Sequence, residues 1–376
     1  MKIAIVSHSA EFGGSEKCLL DMAITLRDLG HSVIVLLPKR GPLLTELRNE
    51  KIPTKSILLY WWLTTEYPRP FIIRIAAFIL NLGLSLFLAP WLFFNRIDLV
   101  ITNTIASPLG ALSAQMVLIP HFWYIHEVID SCIFDLGGTL SRKLIDYLSK
   151  NIIINSEWNF KVSGKYFSTE KTKLLFPYIS IQKPEQSNHK RLSPYTTALV
   201  AGRIEPLKNQ IEAIHAIHSL NSSGKKTTLI LLGELVDQQY AQEIKKTIRH
   251  FNLDSDVVFM GFTTNITEVF CTVDVLIIPS RRESLCRVAF EAMLMGIPVV
   301  AANNGAMTHN INSGVTGHLY QPGNIDQLVE KLNLLSEKST QTKSIQKNAM
   351  EFAQKKCCPE TFAMEIDRLV RSVMSL

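Results

Sequence analysis

The sequence is poor in charge. Only 19% of its 376 residues are Asp, Glu, Lys or Arg, against 47% apolar ones, and a net charge of +6 comes without any long basic run. Such a balance excludes a disordered chain and a nucleic-acid binder built on a basic stripe. It allows weak attraction to nucleotide phosphates or anionic lipid. The six cysteines (Cys18, Cys132, Cys271, Cys286, Cys357 and Cys358) show no C-x-x-C spacing, which predicts reduced thiols that serve as small apolar residues. No G-x-G-x-x-G follows the first apolar run, which argues against a nicotinamide enzyme. The opening MKIAIVSHSAEFGGSEK lacks the long apolar core of a secretory signal, so a cytoplasmic protein is expected.

What is present is alternation. Short β-branched runs recur with helical stretches between them, at Ile3–Ser7, Val33–Leu37, Leu99–Thr102 and Ile152–Asn155, then at Thr197–Ala201, Thr228–Gly233, Val257–Met260, Val273–Pro279 and Pro298–Ala301. Strands alternating with helices predict parallel sheets covered on both faces, and the length predicts two such units. Between them Ile181–Thr197 is polar, holds two prolines and has no apolar period, which reads as a linker. The expected division is 1–182, 197–357, and a C-terminal helix 358–376 with apolar residues near helical spacing, able to pack on either domain.

Ligands of open α/β sheets bind where strands run out at their carboxyl ends. After the first run come Gly13 and Gly14, which let a backbone approach a ligand. After the first run of the second half comes AGRIEPLKNQ, whose Arg203 and Lys208 before a helix suit a diphosphate, or else form a solvated pair. After Val275–Pro279 comes SRRESLCRVAFEA, with Glu283 and Glu291 in a segment that reads as strand end, loop and buried helix. Burying carboxylates is costly unless something pairs with them. If the helix begins near Arg287, Glu283 sits in the loop mouth and Glu291 one turn inside, so both reach one bound molecule. An earlier start would set them about 80° apart around the axis.

The E-x7-E element (Glu283, Glu291), the Gly202-Arg203…Lys208 element, the Gly-Gly loop and the His126-Glu127 pair occur in this order, and the chain resembles the retaining glycosyltransferases of family 4 over nearly its full length. The resemblance implies a GT-B fold, two Rossmann-like doubly wound domains facing a cleft, the first for the acceptor and the second for a nucleotide sugar. It implies that Glu291 binds the ribose hydroxyls, Glu283 a hydroxyl of the donor sugar, and His126 the sugar near the reacting carbon. Arg203 and Lys208 would hold the pyrophosphate, with Gly13 and Gly14 closing on it and the backbone of Cys286, Arg287 and Val288 near the same phosphates. No Asp-x-Asp pair stands at a suitable loop, so the two cations would replace a metal; no cofactor is implied beyond the nucleotide sugar as co-substrate. Leu285 and Cys286 stand where the family usually has glycines, and Asn304-Gly305-Ala306-Met307-Thr308 where it has G-G-x-P-E. The implied reaction is transfer of a sugar to a hydroxyl of a cell-envelope glycan or glycolipid. A nucleotide-sugar epimerase of the same fold and a non-catalytic nucleotide-sugar-binding module remain as alternatives.

His215 and His218, three apart on a helix, have no third ligand nearby, and His121 reads as a wall or core residue. The most apolar stretch runs from Tyr60 to Phe94. Arg74, Asn81 and Ser85 fall on one narrow helical stripe within it, Pro90 interrupts it, and spanning a membrane would tear the strand at Leu99 from its sheet. Two readings stand: a helix with most of its circumference buried, or an interfacial helix flanked by Trp61, Trp62 and Trp91 that brings a lipid-linked acceptor within reach.

Overall fold

The computed structural model describes residues 1–63, 70–129, 139–179, 181, 196–336 and 339–373. Cys132, residues 64–69 of the apolar stretch and most of the expected linker, 182–195, lie outside them. The chain divides into two compact units, Met1–Tyr178 with Cys358–Leu376, and Ile179–Cys357.

The first unit has strands β1 (Lys2–Ser7), β2 (Ser32–Leu37), β3 (Thr54–Ser56), β4 (Leu99–Asn103), β5 (His121–Ile125), β6 (Asn151–Ile154) and β7 (Thr172–Leu174). They form one parallel sheet in the order β3-β2-β1-β4-β5-β6-β7. Its helices are α1 (Gly14–Asp28), α2 (Pro42–Asn49), α3 (Phe71–Phe94), α4 (Leu109–Met116), α5 (Thr139–Tyr147) and α6 (Glu157–Ser163). The second unit has β8 (Thr196–Ala201), β9 (Thr227–Leu232), β10 (Val257–Gly261), β11 (Val275–Ile278), β12 (Val299–Ala302) and β13 (His318–Tyr320), parallel in the order β10-β9-β8-β11-β12-β13. Around them run α7 (Gln210–Ser222), α8 (Gln238–His250), α9 (Ile266–Phe270), α10 (Arg287–Leu294), α11 (Met307–Asn310), α12 (Ile325–Ser336) and α13 (Thr340–Lys356). Central strands such as β4, β6 and β11 are buried at every residue, as strands covered on both faces must be.

Strands β3, β7 and β13 are three residues each and leave too little sequence for an apolar run to mark them. The C-terminal helix α14 (Pro359–Arg371) belongs to the first unit, where Phe362, Ile366, Leu369 and Val370 join the core of Ile3, Leu19 and Leu26. The rings of Tyr178 and Phe362 lie 5.4 Å apart. Thus the first unit ends at Tyr178 rather than 182 and takes back the tail.

Helix α3 departs from the first of its two readings, a helix with most of its circumference buried. It continues through Pro90 without a break in its assignment, and it is not mostly buried. The polar stripe faces inward: Asn81 and Ser85 are fully buried, and the Asn81 amide donates to the carbonyls of Tyr60 (2.8 Å) and Ala77 (2.7 Å) and accepts from the Ser107 hydroxyl (3.3 Å). The apolar side faces out, with Ile72 75%, Phe87 78% and Phe94 80% exposed. Trp62 is a core residue, its indole donating to Ile105 O at 2.8 Å and stacked on Phe78, while Trp61 is partly exposed and Trp91 lies under Lys55.

Candidate active site

Both sheets reverse their strand order beside the first strand of the unit, between β1 and β4 and between β8 and β11. Such a switch point opens a crevice at the carboxyl ends. The residues singled out by the sequence lie on the loops around these two points.

In the second unit, the β8–α7 and β11–α10 loops are bound to each other. The Arg281 amide donates to Leu207 O at 2.8 Å, and Lys208 Nζ reaches Glu283 Oε1 at 2.6 Å. Burial pulls the Lys208 ammonium down, but the carboxylates of Glu283 and Glu205 outweigh it and hold it above its ordinary value. Lys208 therefore stays charged at neutral pH. Arg203 pairs with the buried Glu205 at 3.3 Å, its own side chain half exposed. The helix begins at Arg287, as the convergent arrangement requires, and Glu291 is buried beside Arg287 Nε at 3.0 Å. The two glutamates thus neither point into water nor wait unpaired: each is held by a cation of the chain.

Backbone geometry fixes this loop. A Cβ on Gly305, which has φ 53°, would lie 2.7 Å from Glu283 O and 2.8 Å from Glu283 N, and the Ala306 amide donates to Glu283 O at 2.9 Å. The glycine retained in Asn304-Gly305-Ala306 is therefore the one the loop needs. Cys286, which stands where the family usually has a glycine, takes the left-handed φ of 63°, and it is buried together with Leu285. Burial pushes its thiol well above the ordinary range, which makes it an inert neutral group. Val288 stands in the first turn of α10, whose N-terminal amides and dipole favour an anion.

In the first unit, Gly13 and Gly14 open α1, and the Gly13 amide donates to Glu16 Oε2 at 3.1 Å. Buried Glu16 also lies 3.5 Å from His8 Nε2. His126 is buried at the end of β5, Nε2 lying 2.8 Å from Asn103 Oδ1 and Nδ1 3.3 Å from Asn155 Nδ2. Asn103 in turn donates to Ser15 O at 3.1 Å, so His126 and the Gly-Gly loop are two bonds apart. Glu127 accepts from the amides of His126 (3.1 Å) and Ile105 (3.3 Å); burial pushes its carboxyl up to about 7 against these amides. Asn103, Asn155 and Glu205 escaped the sequence reading. The signal for Asn103 was available, a polar residue closing the apolar run Leu-Val-Ile-Thr at a strand end.

Other candidates are placed elsewhere. His215 and His218 pack their rings on Phe251 at 5.0 and 4.2 Å, and His121 is a core residue beside Thr102, lowered by burial to about 3. The acidic pair Asp254 and Asp256 precedes β10, at the amino edge of the sheet, and Asp256 pairs with Lys226 at 2.9 Å.

Both units are doubly wound α/β sheets, and the second carries Arg203, Lys208 and Arg287 on the loops at its switch point. The model of the glycosyl transferases group 1 family matches residues 182–352, and that of glycosyltransferase family 4 matches residues 12–159. The chain belongs to the family 4 glycosyltransferases and has their GT-B fold. Among relatives, protein CapJ of Staphylococcus aureus is 25% identical over 245 residues, 61% of this chain and 60% of that one. The 2-deoxystreptamine glucosyltransferase of Streptomyces kanamyceticus is 31% identical over 129 residues, 34% of this chain and 33% of that one. The matches thus span between a third and three fifths of these curated relatives. The crystal structure of Anabaena Alr3699/HepE in complex with UDP-glucose has a TM-score of 0.81 at 24% identity, covering 99% of this chain and 100% of that one.

Proposed function

We propose that the protein is a retaining, metal-independent glycosyltransferase that moves a sugar from a nucleoside diphosphate sugar to a hydroxyl of a cell-envelope glycan or lipid-linked acceptor. The observation that carries this reading is the Lys208–Glu283 pair at 2.6 Å, set at the second switch point between Arg203 and the N-terminus of α10. A diphosphate leaving group there meets two cations and a helix dipole, which take up its developing charge without a metal. Glu283, already bonded to the lysine, has its second oxygen for a sugar hydroxyl. Glu291, oriented by Arg287, accepts from the ribose diol. In the first unit His126, fixed by Asn103 and Asn155, touches the donor sugar, and Gly13 and Gly14 let backbone approach the phosphates.

The HepE crystals hold UDP and UDP-glucose, which makes uridine donors the first to try. Relatives named for capsular polysaccharide biosynthesis and for lipopolysaccharide N-acetylglucosamine transfer support an envelope acceptor. On this reading the enzyme is cytoplasmic and peripheral to the membrane through segment 60–94. The test is acceptor-dependent release of nucleoside diphosphate from a panel of donors, with the product anomer read by NMR and the assay repeated in EDTA. Retained configuration and indifference to chelator are expected. An inverted anomer, or activity lost to EDTA and restored by magnesium, sinks the mechanism; a changed donor sugar without acceptor means an epimerase, and binding without turnover a binding module.

A further inference from the structure

We infer that α3 is a bilayer-contact helix that lies flat in an anionic leaflet, folded onto the first unit by its polar stripe and presenting its apolar side to lipid. The arrangement inverts the usual one for a surface helix. Asn81 and Ser85 face the protein, while Ile72, Ile79, Leu86, Phe87, Phe93 and Phe94 are exposed. At roughly 100° per residue, the exposed apolar positions from Leu82 round to Ile73 cover about half the helix circumference, and none of them is charged or polar. The most apolar 18-residue window has a mean hydropathy of 2.2 and is only 22% buried.

The width of this face chooses its occupant. A partner helix of a second copy covers a stripe of about 100° and leaves the flanks wet, and specific protein interfaces carry hydrogen-bonding groups that this one lacks. A lipid surface covers the whole arc and asks for no hydrogen bonds. Charge agrees: Lys55 sits 5.0 Å over the ring of Trp91 at one margin of the apolar face, and exposed Arg96 follows the end of the helix. Cations and a tryptophan beside an apolar face match an anionic headgroup layer. Spanning is ruled out, because α3 connects β3 and β4 of one sheet and Asn81 is bonded to Tyr60 and Ser107 within it.

The contact also has a direction. Asn81 meets loops that follow β3 and β4, so it marks the carboxyl edge of the sheet, and the helix begins ten residues, roughly 15 Å, before that point, with Ala77 and Phe78 packed beside Trp62. The segment entering α3 is tied to the same edge, with the Trp61 indole donating to His8 O at 3.0 Å and the Trp62 amide to Ala106 O at 2.9 Å. Docking α3 therefore draws the loop of His8, which Trp61 holds, toward the headgroups. Its consequence for a membrane-borne acceptor rests on the proposed transferase function; the lipid contact itself does not.

The experiment is flotation of the full chain with vesicles of phosphatidylcholine alone and with phosphatidylglycerol added, beside the variant Phe87→Ser/Phe94→Ser. Both positions are exposed, so the fold should hold, as circular dichroism checks. Wild type is expected to float with the anionic vesicles, and the variant's partition to fall by about tenfold or more. Lys208→Met should float like wild type while losing transfer, which separates failure at the nucleotide loops from failure of the membrane contact. Equal binding by the double variant, or equal flotation with neutral vesicles, overturns the inference. So does a wild-type dimer that ignores vesicles and becomes monomeric in the variant, since the face then belongs to a second copy.

Discussion

The two switch points share one winding and differ in chemistry. That of the second unit is charged and tightly knit: Lys208 with Glu283, Arg203 with Glu205 and Arg287 with Glu291, on loops joined backbone to backbone at Gly305 and at Arg281. That of the first unit is built largely from side chains bonded to one another without a Lys or Arg, Asn103, His126 and Asn155, and adjoins a helix with an apolar face. A charged leaving group needs fixed counter-charges that do not reorganise as it departs. A sugar hydroxyl or lipid-linked acceptor needs neutral hydrogen bonds and a surface to arrive along. Ways to break this contrast follow from the residues that carry it.

The largest effect is expected at Lys208. Replacing it by methionine should cut turnover by about 10²- to 10³-fold, roughly 3 to 4 kcal/mol of barrier, if it stabilises the departing diphosphate. It also strands Glu283, whose side chain is only 11% exposed. The single variant should therefore lose about 1 to 3 kcal/mol of stability, much of it regained in Lys208→Met/Glu283→Gln while turnover stays low. Urea melts beside single-turnover transfer measure both. A double variant that regains activity would show the pair to be structural.

Glu127 is a buried titrating group beside His126 at the first switch point. Its carboxyl ionises near 7 in the folded protein against an ordinary 4.5. The folded state thus holds a proton that the unfolded state has already lost between those values, so stability falls as pH rises through this window and stays low above it. Glu127→Gln should be more stable than wild type above pH 7 by about 3 kcal/mol, with the gap closing below about pH 4.5. Melting temperatures across the range test this; a constant offset would mean that other groups carry the dependence.

Most of the fold was legible because buried parallel strands write long apolar runs, and the candidate loops because they follow such runs. What escaped has physical reasons. Glu283 and Glu291 could be counted, but their partners lie at Lys208 and Arg287, and only the folded loops reveal that 75 residues of sequence separation close to 2.6 Å. Asn81 and Ser85 gave the stripe but no face: a helical period tells which residues share a side, not whether that side meets protein or something apolar outside. Trp62 could not be told from Trp61, since neighbours in an irregular segment take opposite sides without any period.

Gly305→Ala is expected to cost about 2 kcal/mol, combining a left-handed φ of 53° with a Cβ pressed on the Glu283 backbone. Because the strain is released by moving the Glu283 loop, the rate of transfer should fall further than the affinity for free nucleoside diphosphate, which leans on Glu291 and α10. Calorimetry with the free nucleotide, set beside the rate constant, reads the split. Equal losses in both would mean that the turn supports the whole pocket and not the sugar end of it.

The smallest effect probes the first switch point. Asn103→Ala removes bonds to Ser15 O and His126 Nε2, each worth about 1 kcal/mol. Its loss should appear in transfer to acceptor while nucleotide binding stays unchanged, and it should be the same at low and high salt, because no charge is screened. Arg203→Ala, half exposed in the other unit, should weaken the donor in a salt-dependent manner. Measuring KM for donor and acceptor for both variants at two ionic strengths sets the two switch points against each other. A salt-dependent loss at Asn103 would mean that it acts through Ser15 and the phosphate-facing Gly13–Gly14 loop rather than through His126.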